Sequence, residues 1–138
     1  MPPRPKPDQD KGSGRNSESL LLGPFSGKPA CQYIPIPHEP KDTSQSLTGA
    51  GVCADGYYFK KTLRVENVDE YPAHIACDGE TKSELVIPVF EDGSEDKECV
   101  GVLDLDCLAL GGFEESDQKG LERIARLVGS RCGWVKAV

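Results

Sequence analysis

Cys77 is the residue of this sequence whose type and setting most favour chemistry. It lies in a polar, turn-rich segment, HIACDGETKS, that leads directly into an apolar run of strand-forming residues. A reactive thiol needs thiolate character, which the nearby His74 and Lys82 favour. Asp78 and Glu80 oppose it. Because many cysteines are instead small, inert residues of the core, the sequence leaves a reactive thiol and a structural one as alternatives.

Two carboxylates, Asp104 and Asp106, form the second chemical feature. In the run VLDLD, the alternation of side chains along a strand places both carboxylates on one face. The pattern indicates either a solvated strand edge or the wall of a pocket. In a pocket, the pair could hold an ammonium group, or donate a proton if one pKa is raised. Glu84, at the start of the neighbouring predicted strand, could join them.

The six cysteines do not follow a metal-binding or disulfide-framework pattern. No CxxC or HxxxH pair occurs, which argues against a zinc site, and the chain is too apolar for a small disulfide-stapled domain. Three of them, Cys99, Cys107 and Cys132, are expected to be structural. The full set is Cys31, Cys53, Cys77, Cys99, Cys107 and Cys132.

Length and charge narrow the class of protein further. A chain of 138 residues is expected to fold as one domain with a core of its own. The formal net charge of -7 argues against nucleic acid or an anionic membrane surface as the main partner. No apolar run approaches the length of a membrane span, and the N-terminus has no apolar signal region, so we expect a cytoplasmic protein.

The pattern of strands and turns predicts an α+β fold. Residues 1–18 contain proline, glycine and charged residues with no apolar residue after Met1, which predicts a disordered tail. Residues 38–50 are predicted to form an exposed loop, and residues 56–59 stay unassigned. Strands are predicted at 20–22, 30–36, 62–68, 84–90 and 99–106, the last two forming a hairpin.

A helix is predicted at the C-terminal end of the chain. Acidic residues at its start and arginines in its later turns suit the helix dipole. Strands first and one helix last predict an antiparallel sheet with the helix packed on it. The apolar stripe of this helix, at spacings typical of a helix, consists of Leu121, Ile124, Ala125, Val128 and Cys132.

Five segments occur in order along the chain: GPFSGKPAC (23–31), GVC (51–53), HIACDGETKSELVIPVF (74–90), GVLDLDC (101–107) and FEESDQKGLE (113–122). In this order they resemble the free methionine-(R)-sulfoxide reductases, a family of single GAF-type domains. The arrangement of three cysteines, joined to HIACD and GVLDLD, is specific to that family among GAF domains. The resemblance covers most of the chain from residue 23 onward.

The resemblance implies a role for each matched residue. Cys77 corresponds to the nucleophile that attacks the sulfoxide sulfur and becomes a sulfenic acid. Cys31 corresponds to the resolving thiol that condenses with it into a disulfide, and Cys53 to an alternative disulfide partner. The family's acidic pocket, which binds the substrate and assists protonation of the leaving oxygen, corresponds to Glu84, Asp104 and Asp106.

The resemblance also implies the activity. It is that of a thioredoxin-dependent oxidoreductase, without metal or organic cofactor, that reduces free L-methionine-(R)-S-oxide to methionine. It does not decide whether the protein forms a homodimer, which stays possible. Residues 19–138 are expected to form a GAF-like domain without the N-terminal helix and strand that family members carry before LGPF. The alternatives are a non-catalytic GAF-type module that binds a small molecule, a degraded enzyme, and a structural interaction protein.

Overall fold

The computed structural model describes residues 18–27, 30–37, 47–72, 79–94 and 96–134. Within these ranges the chain is α+β, as predicted from the sequence. In chain order the elements are β1 (Glu18–Leu21), β2 (Tyr33–Ile36), α1 (Val52–Phe59), β3 (Leu63–Val65), β4 (Ser83–Phe90), β5 (Cys99–Cys107) and α2 (Glu115–Arg131). Neither helix is long and apolar enough to cross a membrane.

The central sheet is antiparallel and has the order β3-β4-β5 among the described residues. Its middle strand, β4, is buried along its whole length. On one face, Leu85, Ile87 and Val89 pack with Ala125 of α2 to form the core. On the other face, α1 approaches so closely that a Cβ added at Gly56 would lie 2.6 Å from Val86 Cγ1. The two helices therefore cover opposite faces of the sheet.

The predicted alternation of β5 is confirmed. Leu103 and Leu105 pack against the core that faces α2. Asp104 and Asp106, between and after them, therefore point to the face that α1 approaches. The register pairs Glu84 of β4 directly with Asp106 of β5. Pairing and alternation together bring the carboxyl groups of two strands to the same side of the sheet.

Helix α2 begins with a capping box between Glu114 and Asp117, in which each side chain accepts a hydrogen bond from the other residue's backbone N–H. Its predicted apolar stripe is only partly correct. Leu121, Ala125 and Val128 pack on the sheet. Ile124 is 49% exposed and Cys132 is exposed as well. The helix ends at Arg131 and Cys132 is an extended C-cap residue, so the stripe does not continue to it, and the prediction that Cys132 is structural is wrong.

Strands β1 and β2 form a separate two-stranded antiparallel sheet. Pro35 lies in β2, which among the described residues pairs only with β1, so its missing N–H removes no bond from a central strand. The unassigned segment after Cys53 is helical, as α1. The strand predicted over 62–68 is shorter, because the chain turns into a 3₁₀ helix at Val68–Glu70.

Several predictions fall on residues outside the described ranges. The predicted tail is one, except that its last residue, Glu18, begins β1. Most of the predicted loop over 38–50 is another, and its described end contains the buried Thr48. Cys77 lies outside the described residues too. The nucleophile predicted from the resemblance therefore stays a prediction.

Candidate active site

A thiol and two carboxyl groups converge on the face of the sheet that α1 covers. Cys53 comes from α1, Glu84 from β4 and Asp104 from β5. One ligand atom of each, the sulfur or a carboxylate oxygen, lies within 4.8 Å of those of the other two. Asp106 is hydrogen-bonded to Glu84 and completes the cluster. Four of the six residues predicted for the site therefore lie together, although they are spread over 54 positions of the sequence from 53 to 106.

Glu84 holds a proton within this cluster. Its side chain is only 5% exposed and is hydrogen-bonded to both Asp104 and Asp106. Burial first, and then the hydrogen bond and negative charge of Asp104, raise the pKa of the Glu84 carboxyl to about 11. Carboxyl groups in contact cannot all be ionised, so the most buried one stays neutral. At neutral pH, Glu84 is therefore a hydrogen-bond donor and a potential acid.

Cys53 is a neutral thiol in the same surroundings. Its burial and the neighbouring carboxyl groups of Asp104 and Glu84 raise its pKa well above the ordinary value, and its side chain is hydrogen-bonded to Asp104. A thiol that stays protonated is a poor nucleophile. Cys53 fits the role of a secondary disulfide partner better than that of the attacking residue.

Replacing Glu84 by glutamine is expected to flatten the pH dependence of stability. The unfolded carboxyl loses its proton near pH 4.5, whereas the folded one keeps it up to about pH 11. Between these values the folded state binds the extra proton. Its free energy of unfolding therefore falls as pH rises, by up to about 1.4 kcal/mol per pH unit. Glu84→Gln removes this titration, so from pH 5 to pH 9 the variant should lose less stability than the wild type.

Urea unfolding at pH 5, 7 and 9 measures this difference. The matched control is Glu115→Gln, because the Glu115 side chain is 72% exposed and forms a surface ion pair with Lys119 in the next helical turn. Equal slopes for the wild type and Glu84→Gln would show that Glu84 is already ionised in the fold near neutral pH.

The cysteines of the described residues differ in whether they form a disulfide. Cys31 is half-buried and disulfide-bonded, and its partner is not among the described residues. The free ones in the described part of the chain are Cys53, Cys99, Cys107 and Cys132. Of these, Cys99 is buried, as expected for a structural residue.

Sequence reasoning missed a polar network beside the cluster. Asp55, two positions after Cys53, is 1% exposed and accepts hydrogen bonds from Thr48 and from the Tyr71 hydroxyl. The signal available in the sequence was an acidic residue among apolar ones, directly before the segment that stayed unassigned. Because the sequence did not predict helix α1, it could not distinguish this buried aspartate from a solvated one.

Cys53, Glu84 and Asp104 are also the described residues whose ligand atoms lie close enough to share a metal ion. Thiolate and carboxylate are ligands that zinc accepts, although this set contains no imidazole. Because Glu84 and Cys53 retain their protons at neutral pH, a cation would have to displace both. The arrangement is thus better suited to proton donation and hydrogen bonding than to metal binding.

Two open grooves elsewhere on the surface offer less chemistry. One, of about 430 Å³, lies between α2 and the turn after β4, and the other, of about 310 Å³, lies along β3. The residues lining them include both acidic and basic side chains but neither Cys53 nor any member of the carboxyl cluster. We therefore place the candidate active site at the cluster.

Solved structures define the fold class of the chain. A solved GAF domain superposes with a TM-score of 0.70 and 42% identity over 84% of this chain and 57% of that one. No family model matches the sequence. Together with the antiparallel sheets and the C-terminal helix, the superposition shows that the chain has a GAF fold.

The more specific likeness is to one group of GAF proteins. The free methionine-R-sulfoxide reductase of Saccharomyces cerevisiae is 44% identical over 83% of this chain and 55% of its own length. That of Escherichia coli is 35% identical over 78% and 55%. The Neisseria meningitidis enzyme, solved in complex with its substrate, has a TM-score of 0.67 and 37% identity over 82% of this chain and 58% of that one.

The chain is therefore a homologue of the free methionine-R-sulfoxide reductases, which confirms the resemblance found in the sequence. It spans about half of the length of the curated relatives it matches, at 55% in both named cases.

Proposed function

We propose that this chain carries the active site of a reductase that converts free L-methionine-(R)-S-oxide to methionine. The observation that supports this most directly is the protonated Glu84, held between Asp104 and Asp106 beside Cys53. Reduction of a sulfoxide requires a proton donor for the departing oxygen, and Glu84 retains one at neutral pH. The homology indicates sulfoxide reduction as the class of reaction, and Glu84 of the cluster is the proposed acid.

In the proposed reaction, the Cys77 sulfur takes the oxygen. Cys77 attacks the sulfoxide sulfur, the S–O bond of the substrate breaks, and methionine leaves while Cys77 becomes a sulfenic acid. Glu84 protonates the oxygen as it is transferred and regains its proton from the attacking thiol, so the protons balance. The sulfoxide sulfur is reduced by two electrons, and the Cys77 sulfur is oxidised by two.

The second step closes a disulfide. The thiol of Cys31 condenses with the sulfenic acid and releases one water molecule. That Cys31 is disulfide-bonded in the structure, while the other described cysteines are free, supports Cys77 as its partner. Cys53 is then a secondary partner, because its raised pKa leaves little thiolate to compete.

The carboxylates also provide a way to recognise a free amino acid. The carboxyl oxygens of Asp104 and Asp106 are hydrogen-bond acceptors, for which the substrate's ammonium group is a charged donor. A methionine sulfoxide within a peptide lacks that ammonium group. The cluster therefore favours the free amino acid over the same side chain in a protein.

Reductant and location complete the proposal. A dithiol such as that of thioredoxin would reduce the disulfide by exchange, which returns both cysteines to thiols. The four free cysteines among the described residues are compatible with a reducing environment, and a cytoplasmic location belongs to the proposal. A homodimer also belongs to the proposal.

The test is an assay that resolves the two sulfoxide epimers. The purified chain is incubated with free methionine-R-sulfoxide or the S epimer, together with thioredoxin, its reductase and NADPH, and methionine is quantified by chromatography. We expect methionine from the R epimer alone. No turnover of the R epimer would contradict the proposal. Binding of that epimer without turnover, measured by calorimetry, would instead support a non-catalytic GAF module.

A further inference from the structure

Asp55 is a buried carboxylate that joins three parts of the chain. It lies in the middle of α1 and is 1% exposed. Its Oδ1 accepts hydrogen bonds from the backbone N–H of Thr48, at 2.8 Å, and from the Thr48 hydroxyl. Its Oδ2 accepts one from the Tyr71 hydroxyl. The donors in these three hydrogen bonds are uncharged groups. The bonds therefore fix the position of the Asp55 side chain without placing a positive charge beside it.

Tyr71 connects Asp55 to the start of β4. The backbone N–H of Tyr71 donates to Val68 O, and the N–H of Val68 donates to Lys82 O at 2.9 Å. Lys82 is two residues before Glu84. The Tyr71 hydroxyl is also close enough to Glu84 for that carboxyl to contribute to the raised pKa of the tyrosine, after burial and Asp55. The Asp55–Tyr71 hydrogen bond therefore spans from the helix of Cys53 to the strand of Glu84.

Helix α1 depends on such a connection because the helix is short and its end caps stabilise it only weakly. It has eight residues, and a helix of that length is marginal without tertiary contacts. Its N-cap is Gly51, with φ of 99° and no side-chain cap, and it ends at Lys60 in the left-handed conformation. Contacts elsewhere must fix its position over the sheet.

We propose that Asp55 and Tyr71 are positioning residues that fix Cys53 relative to Glu84 and Asp104, an inference that rests on the proposed function of that cluster. The hydrogen bond between them closes a ring of contacts. The ring runs from Cys53 along α1 to Asp55, through Tyr71 to β4 and Glu84, and through Asp104 back to the Cys53 sulfur. Loss of the Tyr71 hydroxyl opens this ring at one bond and leaves the two bonds from Thr48 in place.

The test is the rate at which iodoacetamide alkylates Cys53 in Tyr71→Phe, as a function of pH. The oxidised protein is used without reductant, and each cysteine is quantified by peptide mass spectrometry. When the ring is open, Cys53 should leave its buried, anionic surroundings more often. We expect its alkylation at pH 8 to rise about tenfold, as for the loss of a hydrogen bond to a charged group, and its pH midpoint to move down toward the ordinary thiol value.

Controls separate positioning from general loss of stability. Cys99 is a buried, free thiol in the same molecule, so it reports global opening. Tyr57→Phe removes a different hydrogen bond of the same kind, from a tyrosine hydroxyl to a carboxylate. The Tyr57 hydroxyl, on the same helix as Cys53, donates to the Glu18 carboxylate. Leu121→Ala destabilises the core on the opposite face of the sheet. We expect a rise at Cys53 but not Cys99 in Tyr71→Phe, no rise in Tyr57→Phe, and parallel changes at both thiols in Leu121→Ala.

Equal rises at Cys53 and Cys99, no rise at Cys53, or the same selective rise in Tyr57→Phe would overturn the inference. Asp55→Asn keeps an acceptor for Tyr71 and is expected to give a smaller rise than Tyr71→Phe. This readout needs no substrate. Failure of the wild type to reduce methionine sulfoxide would therefore count against the proposed function alone.

Discussion

A Cys77→Ser variant is expected to lose reduction of free methionine-R-sulfoxide down to the rate measured without protein. A serine hydroxyl is far less nucleophilic than a thiol, and it cannot form the sulfenic acid that accepts the oxygen. Loss of a nucleophile typically removes about four orders of magnitude of rate or more. The epimer-resolved assay measures the effect, with methionine formation followed over hours.

Cys132→Ser is the matched control for this variant. Cys132 is a free cysteine that is exposed at the end of α2, on the far side of the sheet from the carboxyl cluster. The control should retain wild-type turnover. If Cys77→Ser also retained it, another thiol would be the nucleophile, and the role implied for Cys77 by the resemblance would be wrong.

Gly129→Ala is expected to give the largest loss of stability among single-methyl changes in α2. Gly129 is buried, and a Cβ at this position would collide with the carbonyl oxygen of Phe90 and lie 3.2 Å from the backbone N of Gly93. Both neighbours are backbone atoms at the end of β4, so neither can rotate away. The helix would have to move off the sheet, and we expect the free energy of unfolding to fall by about 2–3 kcal/mol.

Gly120→Ala provides the opposite expectation in the same helix. A Cβ at Gly120 meets nothing within 4 Å. Replacing an exposed helical glycine by alanine should stabilise the protein by roughly 0.5–1 kcal/mol, because alanine has the higher helix propensity. Urea unfolding of both variants checks the pair. Equal changes in stability, of either sign, would show that α2 does not approach the backbone at Phe90 as closely as described.

The elements predicted best from the sequence were those with a local signal. The alternation of VLDLD gave the faces of β5, because the side-chain period of a strand is two and requires no knowledge of the fold. The apolar run of strand-forming residues in β4 is also a local signal, although only the structure shows that helices cover both of its faces. The acidic start of α2 was also local and is confirmed as a capping box.

The parts that failed depend on contacts between distant segments. Whether Ile124 or Ala125 is buried depends on how closely α2 lies against β4, and Gly129 sets that distance. Helix α1 has a glycine and three aromatic residues in its second turn, a composition with weak helix propensity, so tertiary packing decides its conformation. The alternation in β5 paired two members of the carboxyl cluster and left Glu84 as a possible third, and the resemblance implied their shared role. The proton on Glu84 is retained because this residue is buried, and its burial cannot be read from the sequence.

The proton retained by Glu84 has a consequence for how a small molecule enters. The chain as a whole carries a formal charge of -7, so its field repels the carboxylate of an approaching amino acid. A neutral Glu84 removes one negative charge from the cluster, and the carboxyl oxygens of Asp104 and Asp106 still offer acceptors for a cation. A zwitterion is therefore repelled less at its carboxylate end than it would be by an ionised Glu84, and its ammonium end still finds acceptors.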